Sequence, residues 1–289
     1  DNGVTFQASN VFNGLGAGLY NIVVEDANGC QGNTTATLTD PPAINISNVA
    51  TVDPDCNGGT NGSITITASG GTGALTYSID NGVTFQAGNN FAGLGAALYN
   101  IVVEDASGCQ TSTTATITNP PAVAIALVTT VDPTCATGVD GSLTITASGG
   151  TGVLSYSIDN GVTFQASNVF NGLGAATYNI VVEDANGCQA NTTGTLTDPA
   201  TVAYGIVITD ENCGAGDGMI TITGIGGDGG PYTYSIDNGV TFQASGAFTA
   251  LTAGGYNIVV EDGSGCQGVG IETMNGTGGA TIALITEDI

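Results

Sequence analysis

Residues 75–105 read LTYSIDNGVTFQAGNNFAGLGAALYNIVVED, and this stretch decides the fold. Leu75, Tyr77 and Ile79 alternate with Thr76 and Ser78, the period of a half-buried strand. Asn81-Gly82 stands between Thr-Tyr-Ser-Ile and Val-Thr-Phe, a hairpin signal because both turn positions need positive φ. Phe91 and Leu94 then lead into a third apolar alternation at Tyr99, Ile101 and Val103. Working outward, Ile44/Ile46 and Ile64/Ile66 alternate with polar residues upstream, and the turn 105–108 leads into a Thr-rich strand over 113–118 downstream. About seven short strands separated by turn residues predict a two-sheet sandwich with an immunoglobulin-like strand order.

That unit is written nearly four times. Asp-Asn-Gly-Val-Thr-Phe-Gln-Ala begins at Asp1, Asp80, Asp159 and Asp237, at spacings of 79, 79 and 78 residues. The seven cysteines keep the same beat in two interleaved series, Cys30, Cys109, Cys188 and Cys266 after an acidic pair and a Gly, and Cys56, Cys135 and Cys213 opening a Gly-rich stretch. A period near 79 is the size of a small all-β domain and too long for a solenoid repeat. Pro41-Pro42, Pro120-Pro121 and Pro199 punctuate the units, and proline makes such joints short and stiff. The expected organisation is all-β, with tandem sandwich domains as beads on a string. The segments are 1–41 (the C-terminal half of a repeat), 42–120, 121–199 and a more divergent 200–289, together expected to be a window of a longer array.

Composition narrows the function classes. The 289 residues hold 25 Asp plus Glu and no Lys, Arg or His, for a formal charge of −25. Without cationic side chains the chain cannot displace counterions from phosphates, so nucleic acid and anionic membrane surfaces are not expected partners. The usual general base, Schiff-base amine and phosphate clamp are all missing, and no enzymatic activity is expected. The chain offers trypsin no site and cannot form Lys-based isopeptide crosslinks. Charged residues are only 9% against 41% hydrophobic, and mean hydropathy is +0.24, so a packed fold is expected and not disorder. No apolar run reaches the roughly 18 residues of a membrane span.

The combined motifs Cys56-Asn57-Gly58-Gly59, Asn61-Gly62-Ser63-Ile64, Gly70-Gly71-Thr72-Gly73, Tyr77-Ser78-Ile79-Asp80, Phe91-Ala92-Gly93-Leu94 and Tyr99-Asn100-Ile101-Val102-Val103-Glu104-Asp105 with Gly108-Cys109 resemble a SprB-type repeat. That family builds giant repetitive cell-surface adhesins of gliding Bacteroidota. The resemblance covers every full unit and about half of the first. It implies a secreted, extracellular protein, exported by the type IX route and used in adhesion or surface motility, and no enzyme. The last unit departs from the pattern at 214–218 and 226–231.

The cysteines read as disulfides, since an exposed array is oxidised and no His is present to complete a zinc site. Two pairings stay open on the residues. Within units it is Cys56–Cys109, Cys135–Cys188 and Cys213–Cys266, leaving Cys30 unpaired; between neighbours it is Cys30–Cys56, Cys109–Cys135 and Cys188–Cys213. The resemblance tips the choice to the first, although an immunoglobulin-like order sets its two loops at opposite poles. Tyr20, Tyr99, Tyr178 and Tyr256 open apolar strands in the manner of the tyrosine corner, a packing device. Asp53, Glu104, Asp105, Asp132, Glu183 and Asp184 are weak calcium candidates. No Asp-x-Asp-x-Asp-Gly loop accompanies them, and solvated turn carboxylates are the plainer reading.

Three functions compete. Near-identical units suit a spacer that holds a binding tip away from the cell, with neighbouring repeats of the same chain as partners. A self-assembling fibre of identical chains through strand exchange is the second. A glycan-binding module using the variable Gly-rich loops after Cys56, Cys135 and Cys213 is the third.

Overall fold

The computed structural model describes residues 3–227 and 230–277. Among them there is no α-helix, and the chain divides into two compact units, Asp1–Pro121 and Ala122–Ile289.

In the first unit the half-repeat contributes one antiparallel pair, β1 (Gly18–Glu25) and β2 (Gln31–Leu38). The full repeat follows with β3 (Asn45–Val52), β4 (Gly62–Ser69), β5 (Thr76–Ser78), β6 (Asn90–Leu94), β7 (Ala97–Glu104) and β8 (Gln110–Ile117). Two three-stranded antiparallel sheets result, in the orders β3-β4-β6 and β5-β7-β8. Alternation places Ile64 and Ile66 of β4 against Ile101 and Val103 of β7, all at 0% exposure, with Ala115 and Ile117 of β8 closing the core. Each such aliphatic contributes about 1.5–3 kcal/mol by leaving water.

The second unit repeats this plan. β9 (Ala124–Val131), β10 (Gly141–Ser148), β11 (Ser155–Ser157), β12 (Val169–Leu173), β13 (Ala176–Glu183) and β14 (Gln189–Leu196) form the sheets β12-β10-β9 and β11-β13-β14 around Leu143, Ile145, Ile180, Val182 and Leu196. The last repeat has β15 (Ala203–Thr209), β16 (Glu211–Asn212), β17 (Gly218–Ile225), β18 (Thr233–Ser235), β19 (Ala247–Leu251), β20 (Gly254–Glu261), β21 (Gln267–Met274) and β22 (Gly276–Thr277). Its extra parallel pair β16–β22 marks where it diverges. Residues 228 and 229 of the unusual 226–231 stretch lie outside the described residues.

Each sandwich is thus all-β as expected, but a middle repeat has six strands where the sequence predicts about seven. The difference lies in the Asn-Gly segment. Asn81 and Gly82 do adopt positive φ, 64° and 82°. Tyr77 and Gln86 exchange both backbone hydrogen bonds (2.8 and 2.9 Å), and 79–85, beyond the end of β5, is a loop rather than a two-residue turn with a returning strand. The Asp80 carboxylate explains why: it accepts from the amides of Val83 and Thr84 and from the hydroxyls of Ser78 and Thr84, competing with a β ladder. The loop folds over the outer face of β7, where a Cβ on Gly82 would lie 3.7 Å from Val102 Cγ2. Val102 is accordingly buried, so β7 is covered on both faces at Ile101-Val102-Val103.

The chain traverses each domain from one end to the other. The head pole carries the start of β3, the 70–72 turn and the 105–109 turn; the Thr72 amide donates to Asp105 Oδ2 (2.8 Å) and the Ala106 amide to the Thr72 carbonyl (3.0 Å). The tail pole carries the ends of β3 and β8, tied by Thr118, whose amide and hydroxyl donate to Asp53 (2.8 and 2.7 Å). The eight residues of β7 separate the poles by roughly 26 Å at 3.3 Å per residue.

Candidate functional site

The second-series cysteines close head-pole turns. In the turn 184–188, Asp184 Oδ1 accepts from the amides of Asn186 and Cys188, and Oδ2 from the Thr151 amide of the facing loop (2.7 Å). These amides, Thr151 first, hold the Asp184 carboxyl below the usual range; Asp105 is lowered likewise, chiefly by the Thr72 amide. The first-series cysteines sit on the tail poles, where Thr197 donates its amide and hydroxyl to Asp132 (2.9 and 2.7 Å) and Gly138 bonds back to the Cys135 carbonyl (2.8 Å).

Between the tail pole of 122–199 and the head pole of the following repeat the chain is short. Thr197 is pinned to Asp132 on one side, and the Ala200 carbonyl accepts from the Gly227 amide on the other (3.1 Å). Three residue steps span at most about 11 Å, so the two poles must face each other. Across that joint Cys135 is bonded to Cys266, with Cα atoms 5.5 Å apart and a sequence separation of 131. Cys266 Sγ also lies 3.3 Å from the Thr134 carbonyl, and Cys266 is buried.

This corrects both pairings expected from the sequence. Cys135 joins neither Cys188 nor Cys109, and Cys266 does not join Cys213. Cys56 and Cys188 are disulfide-bonded, whereas Cys109 and Cys30 are exposed free thiols, which removes Cys56–Cys109, Cys30–Cys56 and Cys109–Cys135. The reason is the pole geometry. A pair within one repeat must cross a whole strand length, against the roughly 4.4–6.8 Å that a disulfide allows. Cys188 and Cys213 fail for a matching reason: Cys188 is on the head pole of its domain, away from the joint with the next. The separation of poles was readable from strand order; that the exit of one domain faces the entrance of the next needed the strand count and the linker contacts.

The tyrosines share one geometry. Tyr20, Tyr99, Tyr178 and Tyr256 donate their hydroxyls to the carbonyls of Gly16, Gly95, Gly174 and Thr252, four residues upstream, at 2.8, 2.9, 3.0 and 2.6 Å. Each locks the approach to a long strand.

The calcium candidates are not brought together. Asp53 and Asp132 lie on tail poles with their oxygens committed to Thr118 and Thr197, while Asp105 and Asp184 lie on the head poles of the same domains. Glu104 and Glu183 accept from Gln110 and Gln189 on the neighbouring strand. No cluster of three or more His, Cys, Asp or Glu that would hold a metal occurs among the described residues. The sequence did not single out Glu211, which is 4% exposed and takes the amides of Gly216 (2.7 Å) and Ala253 (2.6 Å). It stands where the other repeats have Pro54 and Pro133, and that replacement was its signal.

No helix among the described residues is long and apolar enough to cross a membrane. No curated protein matches the chain. Among solved structures it is similar to the N-terminal eight immunoglobulin domains of Down Syndrome Cell Adhesion Molecule, at 13% identity and a TM-score of 0.36, covering 90% of this chain and 40% of that one. It is also similar to Sidekick-1 immunoglobulin domains 1–5, at 11% identity and a TM-score of 0.33, covering 90% and 66%. A cadherin array, Protocadherin Gamma B2 domains 3–6, is similar at 12% identity and a TM-score of 0.25, covering 91% and 83%. The SprB repeat model matches at 48–84, 127–163 and 205–241, each time from within the first strand, through the first-series cysteine, to the Asn-Gly loop. The SprB repeat model thus matches three times, once within each of the full sandwich domains.

Proposed function

We propose that this chain is a non-enzymatic spacer, a run of stalk domains in a secreted bacterial cell-surface adhesin used in adhesion or gliding, with its own neighbouring repeats as its principal partners. The observation that carries this reading is the Cys135–Cys266 bond, which fastens the tail of one domain to the head of the next. A covalent joint resists bending and separation, which a stalk requires and a single binding site does not. The SprB matches and the dependence of the joint on oxidised cysteines favour an extracellular location. Near-identity of the copies fits repetition for length.

The test is to delete residues 122–200 from the parent surface protein, which keeps the beat of both cysteine series. Adhesion is expected to persist while the reach shortens by about 35 Å, one strand length plus turns. Complete loss of adhesion would overturn the spacer reading.

A further inference from the structure

The last repeat differs from the two before it along one sheet edge. Pro120 and Pro199 are 79 residues apart but Cys135 and Cys213 only 78, so one residue is missing between Pro199 and Cys213. The register identifies it. β3 and β9 each carry a bulge against the strand beside them, with Ser47 and Ala126 as the extra residues, whereas β15 pairs with β17 over all seven of its residues without a shift. A bulge twists an edge strand away from further pairing, and β15 has lost that protection. The sequence Ala203-Tyr204-Gly205-Ile206-Val207-Ile208-Thr209 also holds none of the charges or prolines that blunt an edge.

β15 turns bonding groups to its open side. The Ile222 amide of β17 donates to the Gly246 carbonyl beside β19 (2.8 Å), so Ile222 and its register partner Ile206 do not bond each other, and Ile206 directs its N–H and C=O outward. Tyr204 and Ile208, two positions away on either side, do the same. Among the described residues β15 pairs with β17 alone.

A second change lies beside this edge. β21 runs against β15 so closely that a Cβ on Gly270 would overlap the Tyr204 hydroxyl. Its outward residues Val269 and Ile271 are 71% and 77% exposed, where the other full repeats have Ser112 and Thr114 or Asn191 and Thr193. With Val207 at 68%, exposed apolar side chains flank the open edge on both sheets.

Charge decides what can approach. Asp210 follows the end of β15, and Glu272 accepts from the Tyr204 hydroxyl near its start (3.2 Å). The chain has no Lys, Arg or His to answer either carboxylate, and at a formal charge of −25 it repels a second copy of itself. We propose that the edge of β15 is a docking site for an extended segment of another protein, with alternating apolar residues that continue the sheet and a basic residue at each end to meet Asp210 and Glu272. This goes beyond the spacer reading: the last repeat is a stalk domain that also carries a second protein.

The experiment titrates the 289-residue chain with a synthetic peptide, Lys-Thr-Val-Thr-Val-Thr-Val-Thr-Lys, and follows single amides by exchange. Strand addition has a signature that general attraction to an acidic chain lacks. The Tyr204, Ile206 and Ile208 amides should slow by about tenfold or more, while Gly205 and Val207, which face β17, and the bulged edges β3 and β9 stay unchanged. The same peptide with Pro at its central valine, or with Glu for both Lys, should bind about tenfold more weakly or worse. Inserting Ala between Tyr204 and Gly205 restores the bulge and should abolish the protection. Val207→Lys, at an exposed position, should lose most of it, with unchanged exchange in β17 and β20 showing that either variant is folded. Absence of protection at Ile206 and Ile208, equal binding of the proline or glutamate peptide, or protection spreading to β3 and β9 would each overturn the proposal. Protection in the chain alone that grows with its concentration would overturn it in favour of a second copy. The readout is made on the isolated chain and the spacer reading is tested by the reach of the parent adhesin, so either can fail alone.

Discussion

Asp80, Asp159 and Asp237 each hold together the loop that interrupts a strand. Hydroxyl donors, Ser78 and then Thr84, bring Asp80 down to about 2, and Ser235 and Thr241 do the same for Asp237, also to about 2; Asp159 is lowered chiefly by the Thr163 hydroxyl. A carboxyl depressed in the folded state contributes stability above its unfolded pKa, near 3.9, and loses it as pH falls through the folded value. The melting temperature should therefore fall between pH 4 and pH 2, while the Thr84 and Thr241 amides keep their exchange protection until the pH drops through about 2. Thermal scans with amide exchange check this, and a melting temperature unchanged from pH 4 to pH 2 would count against it. Tyr178→Phe removes the hydroxyl that donates to Gly174 and no packing area, so urea unfolding should show a loss of about 1 kcal/mol.

Among the elements, the turn between β10 and β11 shows what glycine is for. Gly149 has φ of 83°, and a Cβ there would sit 1.9 Å from the Ala122 carbonyl oxygen. Gly187 has the same φ of 83° with nothing within 4 Å of its Cβ position. Gly187→Ala should cost about 1 kcal/mol, from left-handed strain alone, and Gly149→Ala more than about 2 kcal/mol, because the head pole must also open. Urea midpoints of the two variants separate the terms, and equal losses would refute the steric account. The sheets themselves were legible, because Leu143/Ile145 and Tyr178/Ile180/Val182 carry the period of two and occupy the core together. The missing seventh strand was not, since Val83-Thr84-Phe85 has strand composition and only the competition from Asp80 removes it. The consecutive Ile101-Val102-Val103 was the available sign that something covers the outer face.

At the scale of the whole molecule, the two cysteine series and their period were plain in the sequence, while their partners were not. Pairing depends on which pole faces which across a joint, a property of two folded domains and not of any local stretch. One mechanical result follows from Cys135–Cys266: 131 residues are excluded from stretching while the bond is intact. Pulled singly between its ends, the reduced chain should unfold to a contour longer by at least roughly 430–470 Å, at 3.3–3.6 Å per residue, than the oxidised chain. No gain on reduction would mean the bond is not made in solution. The same connectivity sets an order of events in biosynthesis. Along the chain Cys135 is followed by Cys188 and Cys213 before its partner Cys266 arrives. A chain meeting oxidant as it emerges, N-terminus first, would join nearest neighbours and be covalently mistied. Correct tying thus requires each sandwich to close with its thiols still reduced and to wait for the domain behind it, so assembly proceeds as a chain of deferred knots, each tied one domain late.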